Sequence, residues 1–304
     1  MWLFFTLVTT LLWGVAELFY KKGSHADRKY DHLRVVVLVG AVMGIHAVFT
    51  LLTADIAYDP MNLIAYLPVS LCYIVSMACS YFGIRFIEES LADPIENTAG
   101  AMCSILCVIF LGESIGIPVW IAIAIIVIGI IGVTRTEGSA EVGRSQKLGK
   151  RLAIVAFLMP FCYAFIDALG SFLDIFYLED VETSPLIGIT EDSIELVANV
   201  SYELTFALVG LIVFIFMKVK GVKFELPQQK DKIIAAVCET AGQLTYVYAM
   251  SGNGAIAAPI LSSVCVVSLL LSRIFLKEKL TKKQYLFIGI IIVGILMLAV
   301  LEGE

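Results

Sequence analysis

Residues 116–151 read GIPVWIAIAIIVIGIIGVTRTEGSAEVGRSQKLGKR, and this stretch decides the fold. From Gly116 to Thr134 there is no charged side chain, over about the twenty residues that a helix rising 1.5 Å per residue needs to cross a bilayer core of roughly 30 Å. Arg135, Arg144, Lys147, Lys150 and Arg151 then crowd into seventeen residues before the next apolar run begins. The same alternation organises the rest of the chain. Apolar segments fall near 2–20, 33–54, 62–87, 92–111, 116–134, 152–177, 194–217, 231–251, 255–275 and 284–301. Lys21, Lys22, Arg28, Lys29 and Arg34 follow the first, and Arg85 follows the third. Lys218, Lys220, Lys223, Lys230 and Lys232 follow the seventh, and Arg273, Lys277, Lys279, Lys282 and Lys283 the ninth. With the five after segment five, these are all 21 lysines and arginines, so every base belongs to an odd-numbered loop.

Hydrophobic residues make up 60% of the chain and the mean hydropathy is +0.93, far above a soluble domain's roughly 45–50% apolar content. Backbone amides cannot go unpaired in lipid, so the long apolar runs are helices. The expected fold is all-α integral membrane, a multi-pass protein of the cell membrane. Bases mark cytoplasmic loops, which leaves both termini extracytoplasmic. The acids Asp55, Asp59, Glu179, Asp180, Glu182, Glu191 and Asp192 fall on the opposite side. The first segment has no base before it and Lys21-Lys22 after it, so it reads as a retained span. Seven cysteines lie inside spans without metal-site spacing and read as packing residues, with no disulfide. The composition points to no nucleic-acid partner and no cofactor.

Shifting the chain by 165 positions brings Tyr81 onto Tyr246, Ala92 onto Ala257, Pro94 onto Pro259, Glu113 onto Glu278 and Gly129 onto Gly294. Five spans per copy is an odd number, so the second copy enters the membrane from the other side. The expectation is ten transmembrane helices in two inverted five-helix repeats: residues 1–136, a cytoplasmic linker at 137–151, and residues 152–304. Inverted repeats related by an axis in the membrane plane can open a shared midplane site to either side.

Tyr81, Ser90-Leu91-Ala92-Asp93-Pro94 and Leu111-Gly112-Glu113, with their echo Tyr246, Ala255-Ile256-Ala257-Ala258-Pro259 and Leu276-Lys277-Glu278, resemble the EamA-type domain of the drug/metabolite transporter superfamily. The resemblance covers both halves. It implies alternating access, with four helices of each repeat around a central cavity and the fifth at the periphery. It also implies helices four and nine broken at Pro94 and Pro259, and a small-molecule cargo such as an amino acid, amine or nucleotide sugar. Glu113 and Glu278 read as structural. The run Asp93-Pro94-Ile95-Glu96-Asn97 departs from the small or apolar residues expected there and favours a cationic cargo.

Acids inside the spans carry the substrate reading, because no base is expected at their depth. A central aspartate costs roughly 2.5–3.5 kcal/mol on insertion scales, so ionised and isolated Asp167, Glu203 and Glu239 would cost on the order of 10 kcal/mol together. Trp13 precedes Glu17 by one turn, and Tyr163 precedes Asp167 in the same way; a shift of 150 superposes the two pairs. An aromatic face beside a carboxylate suits an organic cation. Glu239, Gln243 and Tyr246 form one stripe, and Asn199 and Glu203 another. Glu96 opens the fourth span, where an acid also suits the helix dipole. Glu17 equally fits a pair with Lys21, and the internal stripes equally fit interhelical hydrogen bonds that fix packing. Asp174 reads as a residue reaching water near a helix end, and His46 as a packing residue.

The substrate-binding candidates are therefore Trp13, Glu17, Glu96, Tyr163, Asp167, Glu203, Glu239, Gln243 and Tyr246, with no catalytic or metal-binding residue. The partners expected are a small cationic or zwitterionic molecule, membrane lipid and, left open, protons; proton and cation would compete for the same acids. An enzyme is disfavoured by the lack of HExxH, GxSxG, Walker or histidine-cluster patterns. A scaffold or lipid-binding protein, or a carrier for a neutral metabolite, remains the alternative. Gly129, Gly132, Gly289 and Gly294 can bring helices close, within a monomer or, less favoured, across a dimer.

Overall fold

The computed structural model describes residues 1–23, 30–83, 95–137, 150–275 and 280–301. Among them every regular element is helical. Helix α1 is Trp2–Gly23, α2 Asp31–Thr53 and α3 Leu67–Gly83, the last preceded by a single turn at Asn62–Ala65. Helix α4, Ala99–Leu106, runs on as a π-helical turn Cys107–Leu111, and α5 is Ile117–Glu137. Helix α6 is Lys150–Leu178, α7 Ile194–Val219, α8 Lys230–Leu261, α9 Val264–Phe275 and α10 Lys282–Leu301. Each expected span overlaps one of these helices, the eighth and ninth sharing α8, which breaks at Asn253 (φ −165°, ψ 71°). Five stretches are long and apolar enough to cross a membrane: Trp2–Tyr20, Leu33–Thr53, Phe157–Leu178, Ile194–Val219 and Lys282–Leu301. Residues Leu226–Leu261 with Val264–Phe275, bent by 52°, make a sixth, and Leu67–Met77, Ala99–Leu111 and Ile117–Val133 are shorter apolar helices. The chain is a multi-pass membrane protein.

Local chemistry explains several boundaries. Helix α4 stops at Gly112, whose φ of +71° suits a residue without Cβ, so the glycine of Leu111-Gly112-Glu113 makes the turn into α5. Pro259 follows the break at Asn253 and removes one helical donor beside it. Its expected counterpart Pro94, together with Asp93, Arg85, the middle of the linker, Lys277, Glu278 and Lys279, lies outside the described residues, as does the Tyr81 side chain.

Four helix pairs dominate the packing: α1 with α8, α3 with α6, α2 with α7, and α5 with α10. Each pair is antiparallel. Trp2 meets Gly252 while the Lys232 ammonium reaches the Gly23 carbonyl at 2.7 Å, which fixes α1 against α8. The α2–α7 crossing is closest at Gly40 and Gly210: a Cβ on Gly40 would lie 2.5 Å from the Phe206 carbonyl oxygen, and one on Gly210 3.3 Å from that of Val36. The α5–α10 contact is reciprocal in the same way. A Cβ on Gly129 would lie 2.5 Å from Ile291 Cγ1, and one on Gly294 2.6 Å from Ile126 Cγ1. Gly132 is likewise filled by the Phe287 ring, but Gly289, expected to bring helices together, has nothing within 4 Å of its Cβ position.

These helix directions bring Lys22, Arg34, Lys218, Lys223 and Lys232 to one end of the bundle, here called the basic end. Lys232 is not a loop residue there. Helix α8 begins before it, its side chain is 1% exposed, and it pairs with Asp31 at 3.0 Å; Arg34 approaches the same carboxylate at 3.3 Å. At the opposite, acidic end the equivalent seal is uncharged: buried Asn62 donates to the Ile187 carbonyl (2.9 Å) and accepts from its amide (2.7 Å).

Candidate functional site

The interior polar groups lie where α1, α3, α6, α7 and α8 converge. Trp13 of α1 packs on Tyr246 of α8 with ring centroids 5.2 Å apart and planes inclined by 30°. Its indole N–H points at the Glu239 backbone carbonyl at 3.4 Å. The Tyr246 hydroxyl meets that of Tyr73 on α3 and donates to Ser171 Oγ of α6 at 3.3 Å. Tyr73 in turn stands edge-on to Tyr202 of α7, with centroids 5.8 Å apart. Below this ring cluster Ser76 of α3 donates to Asp167 Oδ1 at 3.1 Å. The helices thus bring Trp13, Glu239, Gln243, Tyr246 and Asp167 to one region, held by residues from five helices.

Solvent access is graded along this region. On α6, Tyr163 and Asp167 are half-buried, Ser171 is 8% exposed and Asp174 fully buried. On α8, Glu239 is half-buried, whereas Gln243 and Tyr246, further from the basic end, are buried. Helix α1 runs the other way and matches: Thr6 and Thr10 are buried, Trp13 is half-buried and Glu17 exposed. Burial of the polar interior therefore increases toward the acidic end, where the Tyr73–Tyr246–Ser171 contacts and Gly254 against Ile175 close the packing.

Two acids on this path are incompletely satisfied. Among the described residues the Glu239 carboxyl has no hydrogen-bond partner, and the Asp167 carboxyl has only the Ser76 hydroxyl. Gln243 Nε2 is buried with no acceptor among the described residues. A carboxylate half-removed from water and lacking a cation is costly unless a proton or a bound cation balances it.

The other candidates are placed elsewhere. Glu203 is fully buried, but His46 of α2 lies 2.8 Å from both its carboxylate oxygens, which corrects the expectation that no base shares the acids' depth. A packing histidine at α2–α7 is thereby the partner of Glu203. Glu96 accepts from Ser80 at 2.8 Å on the basic-end side of α4, and Glu17 and Tyr163 sit one turn below Trp13 and Asp167. Asp174 does not reach water: it is 0% exposed and accepts from the Tyr66 hydroxyl, because α3 covers the end of α6. Tyr66, Tyr73, Ser76 and Ser171 escaped the sequence reading, and Tyr202 was legible only as the neighbour of Glu203. For Tyr66, Tyr73 and Ser76 the signal was a stripe of hydroxyls at helical spacing along α3 and just before it, overlooked because hydroxyls cost less in a span than acids do.

With this geometry in view, the comparisons with known proteins agree. A protein known from its crystal structure superposes on 99% of this chain and 98% of its own, with a TM-score of 0.73 and 11% identity, a likeness of fold alone. An uncharacterized protein of Methanocaldococcus jannaschii is 34% identical over 97 residues, which are 31% of this chain and 71% of that protein. The EamA-like transporter family matches residues 1–135 and 183–300, most of both halves, and the chain belongs to that family.

Proposed function

We propose that the protein is a secondary transporter of the drug/metabolite superfamily that moves a small organic cation, an amine or a zwitterionic amino acid by alternating access. The carrying observation is the Glu239 carboxyl, half-buried beside the Trp13–Tyr246 pair and without a hydrogen-bond partner among the described residues, with Asp167 facing the same region. Aromatic faces attract a cation through their quadrupoles, and the acids supply its countercharge. Trp13, Asp167, Glu239, Gln243 and Tyr246 form the cradle in this reading. Glu17, Glu96 and Tyr163 line its approach from the basic end, and Glu203 with His46 holds α2 to α7.

Ten spans in two inverted repeats give the cycle its symmetry. The packing supports that reading, because exchanging α1–α5 with α6–α10 turns α1–α8 into α6–α3 and leaves α2–α7 and α5–α10 unchanged. The Gly129–Ile291 and Gly294–Ile126 contacts exchange under the same 165-residue shift found in the sequence. One conformation is accessible from the basic end; the symmetry-related one would open at the acidic end after the Tyr73–Tyr246 contact parts. The basic end is cytoplasmic in this account, the protein works as a monomer, and protons exchange with the cation.

A thermal-shift screen of purified protein against amines, quaternary ammonium ions and amino acids tests the reading, since a ligand of the native state raises its melting temperature. Cations should stabilise the parent, and Asp167→Asn and Glu239→Gln should lose the response. Stabilisation by anionic metabolites alone would sink the cation assignment.

A further inference from the structure

Helix α6 carries a second acid that the cradle leaves unused. Asp167, Ser171 and Asp174 recur at spacings of four and three, so they share one face of the helix. Helix α3 and the residue just before it face them with Ser76, Tyr73 and Tyr66: Ser76 binds Asp167, Tyr73 meets Ser171 at 3.3 Å, and Tyr66 binds Asp174. Tyr246 of α8 adds its hydroxyl to Ser171. The result is a ladder of exchangeable protons from the half-buried acid toward the acidic end, spanning about 10.5 Å for seven residues at 1.5 Å each.

We infer that this ladder is a proton relay, with Asp174 and Tyr66 as its outer station and Asp167 as its inner one. The inference rests on the transport reading above. Hydroxyls donate and accept at once, so Ser171, Tyr73 and Tyr246 can hand on a proton at a point too closely packed for an organic cation. Asp174 Oδ2 is buried and has no partner among the described residues, which leaves it an open acceptor. Among the described residues, the titratable groups around Asp174 are the phenols Tyr66, just before α3, Tyr73 of α3, Tyr202 of α7 and Tyr246 of α8, with Asp167 two turns along α6. None brings a positive charge, so a proton is what neutralises Asp174. A proton passed from the acidic end down to Asp167 removes the countercharge of a bound cation, which leaves to the acidic end once that end has opened; the next cation, binding from the basic end, displaces the proton there, so one proton crosses as one cation crosses the other way.

Proteoliposomes with tetraethylammonium as the probe test this, with the membrane potential clamped by potassium and valinomycin. Exchange of labelled tetraethylammonium at equal concentrations requires no net proton movement, whereas its outward gradient should acidify a trapped pH dye. The parent should show both. Asp174→Asn and Tyr66→Phe should keep the exchange and slow the acidification by about tenfold or more. Tyr66→Phe removes a single hydroxyl and decides the matter if Asp174→Asn does not fold. Acidification at the parental rate in a folded variant would overturn the relay, and so would a parallel loss of exchange and acidification, which assigns the pair to packing. A parent that exchanges no tetraethylammonium overturns the cation reading itself and the relay with it.

Discussion

Alanine substitution at four glycines provides a graded test of the proposed repeat. A methyl on Gly129 would lie 2.5 Å from Ile291 Cγ1 and 3.2 Å from the Ile291 amide nitrogen; on Gly294 the figures are 2.6 Å and 3.2 Å to Ile126. Overfilling a packed contact typically costs about 1–3 kcal/mol. Alanine returns up to about 1 kcal/mol through its better helix propensity. Gly129→Ala and Gly294→Ala should therefore each lose on the order of 1–2 kcal/mol, and by similar amounts, because the two contacts exchange under the repeat. Gly40→Ala meets the Phe206 carbonyl oxygen at 2.5 Å, backbone that cannot rotate away, so its cost should sit at the upper end of that range or above it. Gly289→Ala meets nothing and should be neutral or slightly stabilising. Equilibrium unfolding in mixed micelles, followed by circular dichroism, measures all four. Comparable losses at Gly289 and Gly129, or a marked difference between Gly129 and Gly294, would refute the reasoning.

Three further outcomes follow from buried polar contacts. Lys232→Met removes the buried ammonium that pairs with Asp31 and should cost up to about 3–5 kcal/mol in the same unfolding assay, much of it recovered when Asp31→Asn is added. His46→Leu and Glu203→Leu should each destabilise, while the double variant loses less than their sum by roughly 0.5–3 kcal/mol; strict additivity would show that the pair is not coupled. Asn62→Ala removes two hydrogen bonds to Ile187 and should cost about 1–3 kcal/mol, with hydrogen exchange quickening in residues 183–190.

Much of the fold was legible because lipid imposes so few solutions. Runs such as 116–134 could only be helices, and the five basic loops fixed their alternation. Asp167 and Glu239 stood out because an acid's cost in a span singles it out, and Trp13 and Tyr246 because helical spacing sets them on one face with Glu17 and Glu239. Partnerships between spans were not. Nothing in local spacing says that α2 lies against α7, so His46 read as packing and Glu203 as isolated. The same limit hid Tyr66 over Asp174, because α3 covers the end of α6 only through long-range packing. Lys232 misled for another reason: the positive-inside rule counts bases near a span end as loop residues, whereas Lys232 lies in the first turn of α8 and is buried against Asp31.

The cation cradle is the claim on which the rest depends, and counterflow tests it most directly. Proteoliposomes loaded with unlabelled tetraethylammonium should accumulate labelled tetraethylammonium from a dilute outside solution. Asp167→Asn and Glu239→Gln, folded by their unperturbed circular dichroism, should not. Accumulation by those two variants at the parental level would contradict the account, as would a parent that accumulates labelled neutral or anionic solutes and no amine.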